Sequence, residues 1–296
     1  MRPAHLILLL LMNLSWGGVY SVYKIIGLPA GGIVTLRFGL SAVVFLLAWP
    51  WLPGSAPRGL DLVKTCFMGF VLVVVGQRLQ VYGNQIGTAG NSAVLMAIEP
   101  LITTLAAALV LKEHLGPRRL AGFALGMLGV ALLNGAWRSD FQMTNLSGSL
   151  IFISSFVCEA IYSVVGKPII MRASMMKMLA ISLTVGTIGN LLIDGRSTIA
   201  AAKSLTPTGW LLMAGLSIVC TVIGYIVWFV VIRECPINVA ALTIFAQTIF
   251  GVALAALWVG EKLHGGHLLG SLAIVAGLAV GLSGQVHAPE RAQASE

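Results

Sequence analysis

Residues 91–129 read NSAVLMAIEPLITTLAAALVLKEHLGPRRLAGFALGMLG, and a second version of this segment begins 148 residues later. From Ala93 to Ala131, comparison of each position n with position n+148 gives ten identities without a gap. Ala and Leu matches are common in an apolar chain, but a glutamate at the end of an apolar run and two glycines behind it are not. These informative matches are Glu113 with Glu261, Gly122 with Gly270, and Gly129 with Gly277. The chain is therefore predicted to be an internal duplication.

The composition is that of an integral membrane protein. Apolar residues make up 58% of the 296 residues and charged residues only 9%, whereas about a quarter of a soluble domain is charged. A helical span needs roughly 20 mostly apolar residues, so we predict an all-α integral membrane protein with ten transmembrane helices. They cover residues 6–25, 32–51, 63–82, 88–111, 120–137, 146–166, 175–193, 209–232, 239–259 and 267–286.

Each repeat contains five of the predicted spans. The predicted organisation is a first five-helix repeat over residues 1–137, an inter-repeat loop over 138–147, a second five-helix repeat over 148–287 and a polar tail over 288–296. Because five is an odd number, the second repeat must enter the membrane in the opposite direction. Two inverted repeats are typical of secondary transporters, whose substrate site lies near the middle of the bilayer.

The net charge of +8 is distributed in a way that predicts orientation and not nucleic-acid binding. The basic residues stand singly in short loops, without the run or face that a nucleic-acid partner requires. With the N-terminus inside, the cytoplasmic segments hold eleven of them and the opposite side holds four. The positive-inside rule therefore places both termini in the cytoplasm.

Neither the cysteines nor the histidines predict a cofactor or a metal site. Cys66, Cys158, Cys220 and Cys235 lie in or beside spans at unrelated spacing, as expected of small apolar core residues. The pair His264-x-x-His267 has no further ligands nearby. We expect a protein with no structural disulfide, no metal and no cofactor.

The most informative single residue is Glu99, which lies about halfway along the fourth span and precedes Pro100. A carboxyl group at that depth indicates a function, because a charged side chain inside a span costs about 3 kcal/mol on insertion scales. It could carry a coupling proton, bind a substrate amine, or pair with Arg37 or Arg78. The second repeat has Gln247 near the equivalent place, while Glu159 in the sixth span is a second intramembrane carboxyl group.

Other polar and aromatic side chains within spans complete the candidate substrate-binding or coupling set. Gln77, Gln80 and Asn84 follow an i, i+3, i+7 pattern, which places them on one helix face. Arg37 stands near the start of its span, where either snorkelling to the surface or an interior role is open. The whole set is Trp16, Tyr20, Arg37, Gln77, Arg78, Gln80, Asn84, Glu99, Glu159, Tyr225, Trp228 and Gln247.

The duplicated Glu113 and Glu261 are interpreted as structural. Each lies at a helix–loop junction beside a lysine, Lys112 or Lys262, and helix termination with local loop pairing accounts for both. A helix-ending lysine also recurs, as Lys24 and Lys167, at an offset of 143.

Several short motifs stand in a characteristic order and spacing. They are Trp16-Gly17 with Lys24, Arg37-Phe38, Pro100 with Glu113, and Leu120-x-Gly122 with Gly129. Together they resemble the EamA branch of the drug/metabolite transporter superfamily over about residues 6–284. The chain departs from the pattern at Glu159, where the family often has tryptophan, and at Thr248, where it usually has proline.

The resemblance implies a ten-helix bacterial exporter of amino acids and related metabolites in the inner (plasma) membrane, with aromatic amino acid exporters as one member type. It implies alternating access around a central cavity lined by spans 1, 3, 4, 6, 8 and 9. Glu99 and Glu159 would handle protons or a substrate ammonium group there. The expected partners are a small-molecule substrate, the lipid bilayer and protons as coupling ion, for a monomeric protein.

Three other functions have to be weighed. A membrane-embedded enzyme would need a nucleophile, a metal set or a paired acid and base at the surface, and the sequence has no such pattern. A channel or a non-transporting scaffold lacks support, because no repeated filter-like loop is present. Organophosphate or sugar exchange on the same fold calls for several buried cations, and Arg37 and Arg78 keep it open. A drug exchanger of the same fold is a further alternative.

Overall fold

The computed structural model describes residues 1–86, 95–133, 146–259 and 265–283, and every regular element in these ranges is helical. The helices are α1 (Pro3–Gly17), α2 (Val19–Ile26), α3 (Ala30–Ala48), α4 (Leu60–Gly69), α5 (Gln77–Ile86), α6 (Glu99–Leu111), α7 (Pro117–Leu133), α8 (Leu146–Ile170), α9 (Met175–Ser204), α10 (Pro207–Gly215), α11 (Gly224–Glu234), α12 (Ile237–Leu242), α13 (Phe245–Val259) and α14 (Gly265–Leu282).

Eight helical segments in the described ranges are long and apolar enough to cross a membrane. They are Pro3–Tyr23, Ala30–Trp51, Leu60–Ile86, Ser147–Ile170, Met175–Ser204, Pro207–Glu234, Ile237–Trp258 and Gly265–Leu282. The two remaining predicted spans coincide with the shorter α6 and α7, of 13 and 17 residues. The prediction of an all-helical, multi-pass membrane protein is confirmed, while the count of ten spans stays a prediction.

Two long helices contain a π-helical segment at equivalent places in the two repeats. The segment Phe70–Gly76 joins α4 to α5, and Leu216–Ile223 joins α10 to α11. The repeat offset of 148 maps the first segment onto residues 218–224, which overlap the second. A π turn leaves part of the backbone hydrogen-bonding capacity open and is frequent at functional sites. Gln77, directly after the first segment, and Tyr225, two residues after the second, both line the cavity described below.

The duplicated glycines form the contact between α7 and α14. A Cβ atom on Gly122 would lie 2.8 Å from the carbonyl oxygen of Gly277, and one on Gly129 would lie 2.7 Å from that of Gly270. The chain numbers rise along one helix as they fall along the other, so α7 and α14 run antiparallel. Glycine lets the two backbones approach this closely, as is usual for helix pairs in membranes.

Helix breaks flank the centre of the bundle. A 3-10 turn over Met96–Ile98 precedes α6, whose first residue is Glu99. Pro100 therefore occupies the first turn of a helix, where a missing backbone N–H removes no helical bond. A second break lies where α12 ends at Leu242 and α13 begins at Phe245.

One predicted span is longer in the structure. The prediction ends the seventh span at residue 193, whereas α9 continues to Ser204. The backbone bends at Asp194, whose φ of −126° and ψ of 20° are not helical. The predicted end of the apolar run therefore coincides with a kink and not with the end of the helix.

Candidate functional site

A central cavity collects most of the candidate residues. It encloses about 700 Å³ of empty space, including its open mouth. Nine of the twelve candidates line it: Trp16, Arg37, Gln77, Gln80, Glu99, Glu159, Tyr225, Trp228 and Gln247.

The side chains of Glu99 and Glu159 both line this cavity and lie close enough to interact with each other. Glu99 is 6% exposed and begins α6, while Glu159 lies on α8. Two carboxyl groups can share a hydrogen bond only when one of them holds a proton. The sequence left three roles open for Glu99, and one of them was direct pairing with Arg37 or Arg78. In the structure the partner of Glu99 is instead a second acid, Glu159.

Two glutamines of α5 hold Glu159 in place. Nε2 of Gln77 and Nε2 of Gln80 both donate to Oε1 of Glu159, at 2.9 and 2.8 Å. The i, i+3 spacing of the glutamines brings both amides to one face, as the sequence predicts. Oε1 of Gln77 is buried and has no hydrogen-bond partner among the described residues. A buried acceptor without a partner is costly, so this oxygen is available to a donor group in the cavity.

Arg37 is the cation of this cavity. It is 4% exposed, so the snorkelling alternative does not apply. Nε donates to Oγ1 of Thr221 at 2.8 Å, and Nη1 donates to the hydroxyl of Tyr23. Both acceptors are neutral, so among the described residues no carboxylate is hydrogen-bonded to this guanidinium group. A buried cation held by neutral groups is available to an anionic group of a ligand.

Aromatic rings form one wall of the cavity. The ring centroids of Trp16 lie 6.3 Å from those of Tyr225 and 6.5 Å from those of Trp228. The indole of Trp228 donates to Oγ of Ser163 at 3.1 Å, which fixes the ring plane. Such a wall binds apolar or cationic parts of a ligand.

The three other candidates are not among the lining residues. Arg78 is hydrogen-bonded to Asp194 and, at 3.2 Å, to Oδ1 of Asn190. Asn84 is 3% exposed and lies outside the lining. The side chain of Tyr20 lies outside the described residues.

Sequence reasoning missed several lining residues that follow the two acids by a helical turn. Thr103 stands four residues after Glu99, and Ser163 stands four residues after Glu159. Tyr162 also lines the cavity and accepts or donates a bond of 2.8 Å with Oγ of Ser182. Because positions i+3 and i+4 share a helix face, the spacing from each acid could have identified all three.

Glu113 also differs from its sequence interpretation. Its carboxylate binds Lys167 of α8 and the backbone N–H groups of Ile237 and Asn238 at the start of α12. The pairing is therefore between distant parts of the chain and not local to the loop beside Lys112.

The chain is similar to a known protein family and to a solved structure. The model of the EamA-like transporter family matches residues 4–135 and 146–282. A solved structure aligns with 97% of this chain over 100% of its own length, at a TM-score of 0.76 and 18% sequence identity. At that identity the likeness shows the fold alone.

Two bacterial relatives match over most of their length. The probable amino-acid metabolite efflux pump of Salmonella typhimurium is 27% identical over 291 residues, which is 94% of both chains. The probable terminal-alkyne amino-acid exporter of Streptantibioticus cattleyicolor is 23% identical, over 86% of this chain and 84% of the relative.

Proposed function

Because this chain belongs to the EamA-like transporter family, we propose that it is a secondary-active exporter of amino acids or closely related metabolites. It is a membrane transporter and not an enzyme. In the proposed mechanism, the cavity opens alternately to the two sides of the bacterial inner membrane, with both termini in the cytoplasm and the protein working as a monomer.

The observation that carries the proposal is the charge pattern of the cavity. Arg37 offers a guanidinium group, and Glu99 with Glu159 offers two neighbouring acidic groups. An amino acid carries a carboxylate and an ammonium group, which match these two partners. The aromatic wall of Trp16, Tyr225 and Trp228 would receive the side chain of the substrate.

A proton shared by the two acids gives a way to couple transport. An ammonium group that enters between Glu99 and Glu159 takes the place of that proton, which leaves to the solution. One positive charge enters the site as another leaves it, so the charge of the site is conserved. Intramembrane carboxyl groups commonly mark substrate pathways and proton relays in transporters.

Two observations support alternating access by inverted repeats. The helices α7 and α14 occupy equivalent places in the two repeats and run antiparallel, with the duplicated glycines at their contact. The two π segments also occupy equivalent places. Exchange of organophosphates has less support, because Arg37 is the one cation among the described lining residues.

Transport by purified protein in liposomes tests the proposal. A panel of labelled amino acids, amines and organophosphates is offered with and without a pH gradient. We expect saturable uptake of amino acids that responds to the gradient. Glu99→Gln should lose that response, while Asp61→Asn, outside the cavity, should keep it. Folded protein that moves no amino acid would refute the substrate class, and an unchanged pH response in Glu99→Gln would refute the coupling.

A further inference from the structure

The carboxylate of Glu113 joins three helix ends at one end of the bundle. Oε1 accepts a bond of 2.9 Å from Nζ of Lys167 and one of 2.8 Å from the backbone N–H of Ile237. Oε2 accepts one of 3.0 Å from the N–H of Asn238. The side chains of Glu113 and Lys167 are only 10% and 20% exposed. Glu113 therefore holds the end of α6 against both α8 and the start of α12.

Lys167 completes this junction. Its ammonium group also donates to the carbonyl oxygen of Cys235 at 2.9 Å, just before α12. Arg119 adds a contact between the same parts of the chain, since Nη1 donates to Oδ1 of Asn238 at 2.6 Å. Glu113 and Arg119 belong to the first repeat and the other four residues of the junction to the second, so the junction ties the two repeats together.

The same two helices, α6 and α8, also meet inside the cavity. Glu99 is the first residue of α6, and Glu113 follows its last residue by two. On α8, Glu159 precedes Lys167 by eight residues, which is about 12 Å along a helix axis. The Glu99–Glu159 contact and the Glu113–Lys167 pair are therefore two contacts that join α6 to α8.

We propose that the Glu113–Lys167 pair is a releasable closure of this end of the cavity, controlled by the contact between Glu99 and Glu159. When the two acids share a proton, α6 and α8 are held together and Glu113 reaches Lys167. When that proton is lost, or an ammonium group enters between the acids, α6 moves away from α8. Glu113 then leaves Lys167 and the first turn of α12, and this end of the bundle opens.

Other charged and titratable groups surround both contacts. Arg119 of α7 acts on Glu113. Arg37 acts on Glu159 from α3, and Cys158, Tyr23 and Tyr225 also interact with it. Because these groups are present in both states, they influence the pH at which the closure opens. They do not themselves switch it between the two states. The control by the acids depends on the proposed function, whereas the closure itself does not.

A native cysteine reports on the closure without any transport assay. Cys235 is 6% exposed and its carbonyl group is bound by Lys167. We would replace Cys66, Cys158 and Cys220 by alanine and measure how fast a membrane-impermeant maleimide modifies Cys235 in liposomes. Labelling of denatured protein at each pH corrects for the reactivity of the thiol itself. In the closed state the reaction should be slow.

Glu113→Gln should raise the labelling rate at least about tenfold, because charge-assisted hydrogen bonds to three donors are weakened. Lys167→Gln tests the same pair if the first variant does not fold. The matched control is Asp61→Asn, which removes the Asp61–Arg172 ion pair. That pair also lies beside the end of α8, but Arg172 is 57% exposed, and its loss should leave the labelling rate unchanged. If folded Glu113→Gln protein were labelled at the original rate, the junction would be a fixed structural contact, and the proposed closure would be wrong.

A second arm tests the control by the acids. Transfer from mildly acidic to mildly alkaline buffer should raise the corrected labelling rate of Cys235. Glu99→Gln should abolish this rise, because an amide can donate to Glu159 at any pH. An unchanged pH response in Glu99→Gln would overturn the control while leaving the closure in place. Failure of the transport panel would refute the proposed substrate and would not alter either labelling result.

Discussion

The indole N–H of Trp16 donates a hydrogen bond of 2.8 Å to the backbone carbonyl oxygen of Cys220. Cys220 lies within the π segment Leu216–Ile223, where a widened turn leaves carbonyl groups available to partners outside the helix. The bond links the first helix of the chain to the second repeat and fixes a ring of the cavity wall. The π segment thus has a direct role in building the cavity.

Trp16→Phe should therefore loosen the cavity wall while preserving an aromatic ring. An unsatisfied buried carbonyl group costs about 1–3 kcal/mol, so we expect a lower thermal unfolding midpoint and weaker substrate binding. The control is Trp210→Phe, because Trp210 is 38% exposed and outside the cavity. Equal effects of the two substitutions on substrate affinity would contradict a role for the Trp16 bond.

The glycine contact between α7 and α14 gives a prediction about stability alone. Gly129→Ala would place a Cβ atom 2.7 Å from the carbonyl oxygen of Gly270, which forces the helices apart. Overpacking of this kind costs about 1–3 kcal/mol. Gly215→Ala is the control, since its Cβ atom would meet nothing within 4 Å. Thermal unfolding in detergent should show a clear decrease for the first variant and none for the second.

The sequence predicts the fold well where the signal is compositional or repeated. Within the described residues the predicted apolar runs coincide with helices, and the repeat offset pairs Gln77 with Tyr225, which both line the cavity. Intramembrane acids are rare enough to identify Glu99 and Glu159 individually. Their contact with each other could not be predicted, because helical periodicity gives the face of one helix and not the face that it meets.

Other features are missed for physical reasons that differ from residue to residue. The π segment Phe70–Gly76 reads as an ordinary apolar run, so nothing in its composition distinguishes it. Glu113 resembles a local helix terminator, because its partner Lys167 is distant in the chain. Arg78 was grouped with Gln77 as a neighbour in sequence, yet adjacent positions do not share a helix face.

The role of Arg37 can be tested by substrate selectivity. If its guanidinium group binds the substrate carboxylate, Arg37→Gln should weaken transport of amino acids about 10- to 100-fold, the effect of losing a charged hydrogen-bond partner. Transport of the amines that lack the carboxylate should change much less. Thr221→Val removes a neighbour of Arg37 but keeps the charge, so it should preserve the preference for amino acids. An equal loss for amines and amino acids in Arg37→Gln would show that Arg37 serves the fold.

Arg78 leads to the opposite expectation. It is paired with Asp194 at the kink of α9 and lies outside the cavity lining, so its substitution should affect stability and not substrate affinity. Both side chains are about a quarter exposed, at 27% and 25%, and we expect Arg78→Gln to destabilise by roughly 1–3 kcal/mol, between the values for surface and buried pairs. Asp194→Asn in the same protein should recover part of the loss, because it removes the acid that Arg78→Gln leaves unpaired. Thermal unfolding of both single variants and the double variant measures this coupling. A change in the substrate concentration for half-maximal transport, with no change in unfolding, would instead return Arg78 to the binding site.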